Sequence, residues 1–265
     1  NLVHGEITPM RYGGNYKSYG PQYPRGIQEG NGIPADGDLW VSYSVNKEDM
    51  WISRIPVPVE INASAHADDD FSNNKSIAEL TDWNIYSPVW APVSLEGQWL
   101  KLQDKDPFDY VKVERKIPAS KELKVSFDLK AGQNNKGTLQ IEFLDENGIA
   151  CSRMELTDGG IFRLKGGSRF ANMMKYEAGK VYHVEAVLST VDRNIQVYVD
   201  GKRVGLRMFY APVAAVERIV FRTGVPRTFP TVDTPADQTY DLPNAGAQDP
   251  LAEYGIANVK TSSAD

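Results

Sequence analysis

The chain has 265 residues, 41% hydrophobic, 24% charged and 10% aromatic, with a formal net charge of −6. That balance gives room for one large β domain or two smaller ones, and the excess of acids argues against nucleic-acid binding, which draws on surplus lysine and arginine. No apolar run nears the roughly 18 residues of a membrane helix. The first residues lack the basic-then-apolar pattern of a signal peptide, and the single Cys151 excludes an intrachain disulfide or a cysteine-built zinc cage.

In chain order, the first stretch interleaves Arg11, Tyr12, Tyr16, Lys17, Tyr19, Tyr23 and Arg25 with Gly13, Gly14, Gly20 and Gly26. Residues 39–45 and 50–55 alternate as two strands joined through Asn46–Asp49, and Pro56-Val57-Pro58 then stops the ladder because proline has no N–H to donate. From Asn62 to Asp82 the chain turns polar and acidic, which reads as a boundary: a segment 1–60, a linker 61–82 and a domain 83–265. Beyond it, period-2 alternation predicts strands over 99–103, 110–117, 123–130, 138–144, 150–156 and 161–165. Further strands are expected over 181–188, 195–199, 204–210, 219–223 and 254–260. Asp145-Glu146-Asn147-Gly148, Asp158-Gly159-Gly160 and Asp200-Gly201 supply turn residues that tolerate positive φ. About a dozen short strands with little helix imply an all-β architecture of two packed sheets. Residues 225–250, rich in Pro, Thr, Asp and Gly, form a long excursion before the final strand.

The run Lys175-Tyr176-Glu177-Ala178-Gly179-Lys180-Val181-Tyr182-His183-Val184, followed by Asn194-Ile195-Gln196-Val197-Tyr198-Val199-Asp200-Gly201-Lys202, resembles concanavalin A-like and laminin G-like jelly rolls. The resemblance covers residues 83 to 262. The runs Tyr19–Ile27 and Gly37–Pro56 resemble the closing blade of bacterial sialidase-like (BNR-repeat) β-propeller proteins, in which a jelly roll follows the propeller. Sixty residues supply about one four-stranded blade, so the remaining blades are expected from the same protein or another chain. Together the two resemblances imply a concanavalin A-like jelly-roll sandwich preceded by a partial propeller-blade segment.

Aromatic faces stack on sugar rings and guanidinium groups grip carboxylates bidentately. By the sialidase resemblance, Arg11 and Arg25 are carboxylate clamps and Tyr23 is a nucleophile or stacking residue, with Tyr12, Tyr16, Lys17 and Tyr19 as substrate-binding candidates. The competing reading is a long loop whose tyrosines pack at an interface. The resemblance implies a glycan-processing protein, the C-terminal portion of a sialidase-like glycoside hydrolase with an accessory jelly roll, placed extracytoplasmically in a bacterium. The alternative is a noncatalytic glycan-binding or structural module, since the fold hosts both.

Other constellations are weaker. Gln140-Ile141-Glu142 and Ser152-Arg153-Met154-Glu155-Leu156 faintly echo alginate-lyase motifs, in permuted order and with glutamate where those enzymes use histidine or glutamine. Glu142-Phe143-Leu144-Asp145-Glu146 has the wrong spacing for the paired carboxylates of jelly-roll glucanases. Asp68-Asp69-Asp70 offers oxygen ligands to calcium but lacks the alternation and glycine of a calcium loop and reads as solvated linker, so no cofactor is expected. Trp83, Trp90 and Trp99 read as plugs at the junction of linker, blade and jelly roll, or as a sugar platform. His183 reads as a hydrogen-bonded core or surface residue and Cys151 as a small core hydrophobe.

Overall fold

Alternation in the longest strands shows how the chain folds. Along residues 122–131, Leu123, Val125, Phe127, Leu129 and Ala131 are buried while Lys124 and Lys130 are exposed, the pattern of an extended strand with one dry face. The computed structural model describes residues 21–27, 39–45, 47, 49–55, 65–87, 90–106, 110–224 and 248–264. It is an all-β sandwich with a small antiparallel sheet beside it.

The small sheet comprises β1 (Pro21–Ile27), β2 (Leu39–Val45) and β3 (Asp49–Ile55), in that order. Then follow β4 (Asp68–Asp69), a 3₁₀ turn at Ile77–Glu79, β5 (Trp83–Tyr86), β6 (Val93–Glu96), β7 (Trp99–Asp104), β8 (Lys112–Ser120) and β9 (Glu122–Ala131). The chain continues through β10 (Leu139–Leu144), β11 (Ala150–Leu156), β12 (Ile161–Gly166), β13 (Arg169–Lys175) and β14 (Val181–Ser189). It ends with β15 (Asn194–Val199), β16 (Lys202–Met208), β17 (Val216–Thr223) and β18 (Ala252–Ser263). One large sheet runs β13-β12-β11-β10-β17-β8-β5, the other β16-β15-β14-β9-β18-β7-β6, with β4 paired to β18.

Aromatic rings lock the two sheets together. Phe127 of β9 meets Phe221 of β17 edge-on at 5.1 Å between centroids, and Trp83 stacks on Phe221 from the other side at 6.4 Å. Phe71 closes on Trp83 at 5.6 Å, so part of the 61–82 stretch is built into the sandwich: Ala67, Phe71 and Leu80 belong to its core. Asp69 of the same stretch accepts hydrogen bonds from Trp83 Nε1 and Arg115 Nε, while Asp68 pairs with Lys260. At the β15–β16 hairpin, Asp200 and Gly201 both take positive φ (50° and 77°), the two-residue turn that the Asp-Gly pair predicts.

The strands missed by alternation are short or lie at edges. β13 alternates half-buried and exposed residues without a period-2 core face, and β4, β5 and β6 have four residues or fewer. β1 carries Pro21 and Pro24 and reads as loop, yet it forms at an edge of the small sheet, where a strand tolerates a missing donor. A bulge between Gln22 and Arg25 absorbs the irregularity, and Tyr23 sits in it with φ of 53°. Val41, Tyr43 and Val45 of β2 make a second apolar cluster with Tyr86 of β5, which joins the small sheet to the sandwich.

Candidate functional site

Strand β10 breaks the pattern of one dry and one wet face. Leu139, Ile141 and Phe143 enter the core, but the outward Gln140 and Glu142 are also buried, at 3% and 7% exposure. The register explains what covers them. One rung across the sheet sets Lys112, Arg222, Gln140, Glu155 and Arg163 side by side, and the next sets Glu114, Val220, Glu142, Arg153 and Lys165.

A continuous polar chain results. Arg153 Nε donates to Glu142 Oε1 at 2.6 Å, and Arg222 Nη2 approaches the same oxygen at 3.4 Å while also donating to Gln140 Oε1. Gln140 Nε2 reaches Glu155 Oε2 at 3.3 Å, and Arg163 grips Glu155 Oε1 through Nε at 3.0 Å and Nη2 at 2.5 Å. Lys112 and Arg218 hold Glu114 at 2.6 and 3.4 Å. The two rungs carry five basic side chains against three carboxylates, a local positive excess on a chain of net charge −6.

Aromatic rings border this charged surface. The Arg222 guanidinium lies 5.3 Å from the Tyr110 ring centroid, and Lys165 and Arg153 lie 4.3 and 5.9 Å from that of Tyr210. Arg163 stacks on Phe170 at 4.2 Å. Between Tyr110 and Tyr210 an open groove of about 440 Å³ is lined by Glu142, Leu144, Arg153 and Arg222. Burial pushes the Tyr210 phenol up to about 12, and its hydroxyl finds no hydrogen-bond partner among the described residues. The groove therefore offers what a carbohydrate with an acidic group needs: two aromatic rings and guanidinium donors.

Of the residues singled out from sequence, Tyr23 and Arg25 lie exposed on β1, Tyr23 at 65% exposure with Lys47 Nζ 5.5 Å from its ring centroid. Arg11, Tyr12, Tyr16, Lys17 and Tyr19 lie outside the described residues. The three tryptophans part company: Trp83 is in the sandwich core, Trp99 lies on the outer side of the eight-stranded sheet and Trp90 is half-buried in a loop. His183 is a surface residue whose Nδ1 is 2.8 Å from Asp128 Oδ1, and Cys151 is fully buried. Asp70 accepts from the backbone N–H and hydroxyl of Ser72. Among the described residues no group of three or more His, Cys, Asp or Glu side chains is arranged to hold a metal ion. The signal that sequence reasoning passed over was Gln140, Glu142, Arg153 and Glu155, noticed only as a faint lyase echo.

Comparison with known proteins agrees with a carbohydrate-directed surface. The chain superposes on a solved structure described as a sialidase, with 89% sequence identity and a TM-score of 0.89, over 100% of this chain and 24% of that one. The chain thus spans about a quarter of the length of that sialidase. At the level of fold alone it is similar to the Crh5 transglycosylase, with 12% identity, a TM-score of 0.55 and coverage of 77% of this chain and 86% of that one. It also shares its fold with a structure from work on endo-acting O-glycanases with which human gut bacteria initiate mucin breakdown. There the identity is 14% and the TM-score 0.52, over 74% of this chain and 98% of that one. No curated protein matches the sequence. The family model for the sialidase-like CBM domain matches residues 83–238, more than half of the chain, and the protein belongs to that family.

Proposed function

We propose that the sandwich is the accessory glycan-binding module of a sialidase-type glycoside hydrolase working outside the bacterial cytoplasm. On this reading it holds an acidic sugar in the groove between Tyr110 and Tyr210. The observation that carries this reading is the groove itself. A positive excess sits on a sheet face where charge burial is costly, flanked by two aromatic rings. A carboxylate entering there finds Arg153 and Arg222, and a pyranose face finds the rings.

The small sheet belongs, in the same proposal, to a propeller completed by further blades of the same or another chain. Trp40, Met50 and Ile52 are 46%, 78% and 68% exposed, and their register places them on one face, an apolar surface of the kind a neighbouring blade covers. Tyr23 and Arg25, with Arg11, remain the candidates for substrate contact on the propeller side. Bulges re-aim side chains next to active sites, and Tyr23 sits at one.

The test is titration of the chain with 3′-sialyllactose and with lactose. Binding of the sialylated probe, weakened about tenfold or more by Tyr210→Ala and by Arg153→Ala, is expected. Equal binding of both probes by a Trp99→Ala chain, or a Trp99→Ala/Tyr210→Ala chain that binds 3′-sialyllactose as tightly as Trp99→Ala alone, refutes the groove as an acidic-sugar site. For the propeller assignment, Tyr23→Phe in the enzyme that carries this module is expected to abolish turnover while leaving 3′-sialyllactose binding by the sandwich intact.

A further inference from the structure

The outer side of the eight-stranded sheet carries a second, chemically different depression. Its rung Lys101–Gly255–Lys130 has a glycine at the centre, and the six-membered ring of Trp99 lies over that gap. A Cβ on Gly255 would stand 3.0, 3.5 and 3.7 Å from three contiguous ring atoms. The indole is thereby seated on backbone, held by the sheet rather than by a mobile loop, and it lines a depression of about 140 Å³ with Glu96, Lys101, Lys130 and Glu253. One indole supplies a stacking face for one sugar ring.

The polar rim is balanced in charge. Lys101 bridges Glu96 and Glu253, the latter at 3.2 Å, and Gln103 Nε2 donates to Glu253 Oε2 at 2.9 Å. Two ammonium groups face two carboxylates, so the depression has no net charge and presents donors and acceptors together. An anionic sugar gains nothing there that Glu96 and Glu253 do not oppose, whereas hydroxyl groups find both kinds of partner. The contrast with the cationic groove on the opposite sheet is one of ligand class.

We infer that Trp99, Lys101, Lys130 and Glu253 form a second carbohydrate site, specific for a single neutral hexopyranose whose apolar face stacks on the indole. The site is independent of the Tyr110–Tyr210 groove, being on the other sheet, and stands or falls without it. With an acidic-sugar site on one sheet and a neutral-sugar site on the other, the module holds a glycan before and after loss of its acidic residue.

Tryptophan fluorescence and saturation-transfer NMR test it, with methyl β-D-galactopyranoside, methyl β-D-glucopyranoside and N-acetyllactosamine as probes. Saturable binding of at least one probe is expected, weakened about tenfold by Trp99→Ala and unchanged by Tyr210→Ala. Absence of saturable binding for all three at millimolar concentration overturns the proposal, as does binding that survives Trp99→Ala. Should Trp99→Ala fail to show the parent circular dichroism spectrum, Glu253→Gln is read in its place. Weakened binding supports the site and unaltered binding overturns it. Loss of 3′-sialyllactose binding in Tyr210→Ala alongside retained neutral-sugar binding separates this site from the groove.

Discussion

Replacing Arg222 by methionine probes the polar chain at its centre. Arg222 is 5% exposed, and its guanidinium donates to Gln140 Oε1 and to the Gly224 carbonyl at 3.2 Å and approaches Glu142 at 3.4 Å. Methionine keeps much of the aliphatic volume, so the loss is chiefly of charge and donors, together with the guanidinium contact on Tyr110. Breaking a buried ion pair by removing one partner costs about 3–5 kcal/mol because the other charge is left uncompensated. Glu142 retains Arg153 at 2.5 Å, which puts the expected cost at the lower end, about 3 kcal/mol. For a chain of this size, at about 2–4 °C per kcal/mol, the midpoint should fall by roughly 6–12 °C in calorimetry. The urea midpoint should fall with the slope unchanged. The triple variant Glu142→Leu/Arg153→Met/Arg222→Met removes the charges together and should recover most of that loss, while 3′-sialyllactose binding disappears. A single variant within about 0.5 kcal/mol of the parent, the scatter of ordinary surface substitutions, refutes the reasoning, as does a triple variant less stable than the single one.

Gly137→Ala should destabilise by about 2–5 kcal/mol, since Gly137 has φ of 66° and a Cβ there would stand 2.4 Å from Ala252 Cβ; Gly148→Ala, with φ of 82° but open space, should cost about 1 kcal/mol by chemical denaturation. Burial pushes the Cys151 thiol up to about 12, so Ellman's reagent should label the chain only at the rate of unfolding, and stoichiometric labelling of native protein would contradict this. Burial likewise raises Tyr176 and Tyr210 to about 12 from an ordinary 10.0, so the folded chain keeps protons that the unfolded chain has shed. Their contribution to stability is complete below about pH 10 and is lost as pH rises towards 12. Urea midpoints across that range should fall, and less steeply in Tyr176→Phe.

The all-β class and most strands were legible because burial on one face forces period-2 alternation, as in Leu123, Val125, Phe127 and Leu129. β1 was not, because Pro21 and Pro24 argue against a ladder until the strand is known to lie at an edge. β13 was not, because an edge strand of half-buried and exposed residues has no dry face to set a period. The groove was illegible for a different reason. Gln140 and Glu142 alternate with Leu139, Ile141 and Phe143 and so read as an ordinary wet face. Only the register brings Arg153 from β11 and Arg222 from β17 beside them. A single sequence states which residues share a strand face, but cross-strand neighbours depend on loop lengths and bulges such as the one at Phe143–Leu144.

The two outer faces show where a sandwich accepts cost. On β9 the outward Lys124 is exposed and pairs with Glu185 at 2.7 Å across to β14, an ion pair in solvent of small net worth. On β10 the outward Glu142 is withdrawn from water and surrounded by guanidinium groups, where desolvation offsets most of the Coulombic gain. Stability alone does not favour that arrangement, since apolar residues of similar volume would serve the sheet as well. What the ionic version supplies is a fixed array of donors, each guanidinium held in orientation by a carboxylate or an aromatic ring before any ligand arrives. Preorganised donors lose little side-chain entropy on binding, so the ordering cost falls on folding instead of on recognition. The same logic holds at smaller scale for Trp99, seated on Gly255 and bordered by carboxylates whose partners are already in place. In both places the sheet holds the charged side chains, or the indole, in fixed positions, while the two rings of the groove, Tyr110 and Tyr210, come from the segments just before β8 and just after β16, so the strands set the polarity and the adjoining loops supply the stacking faces.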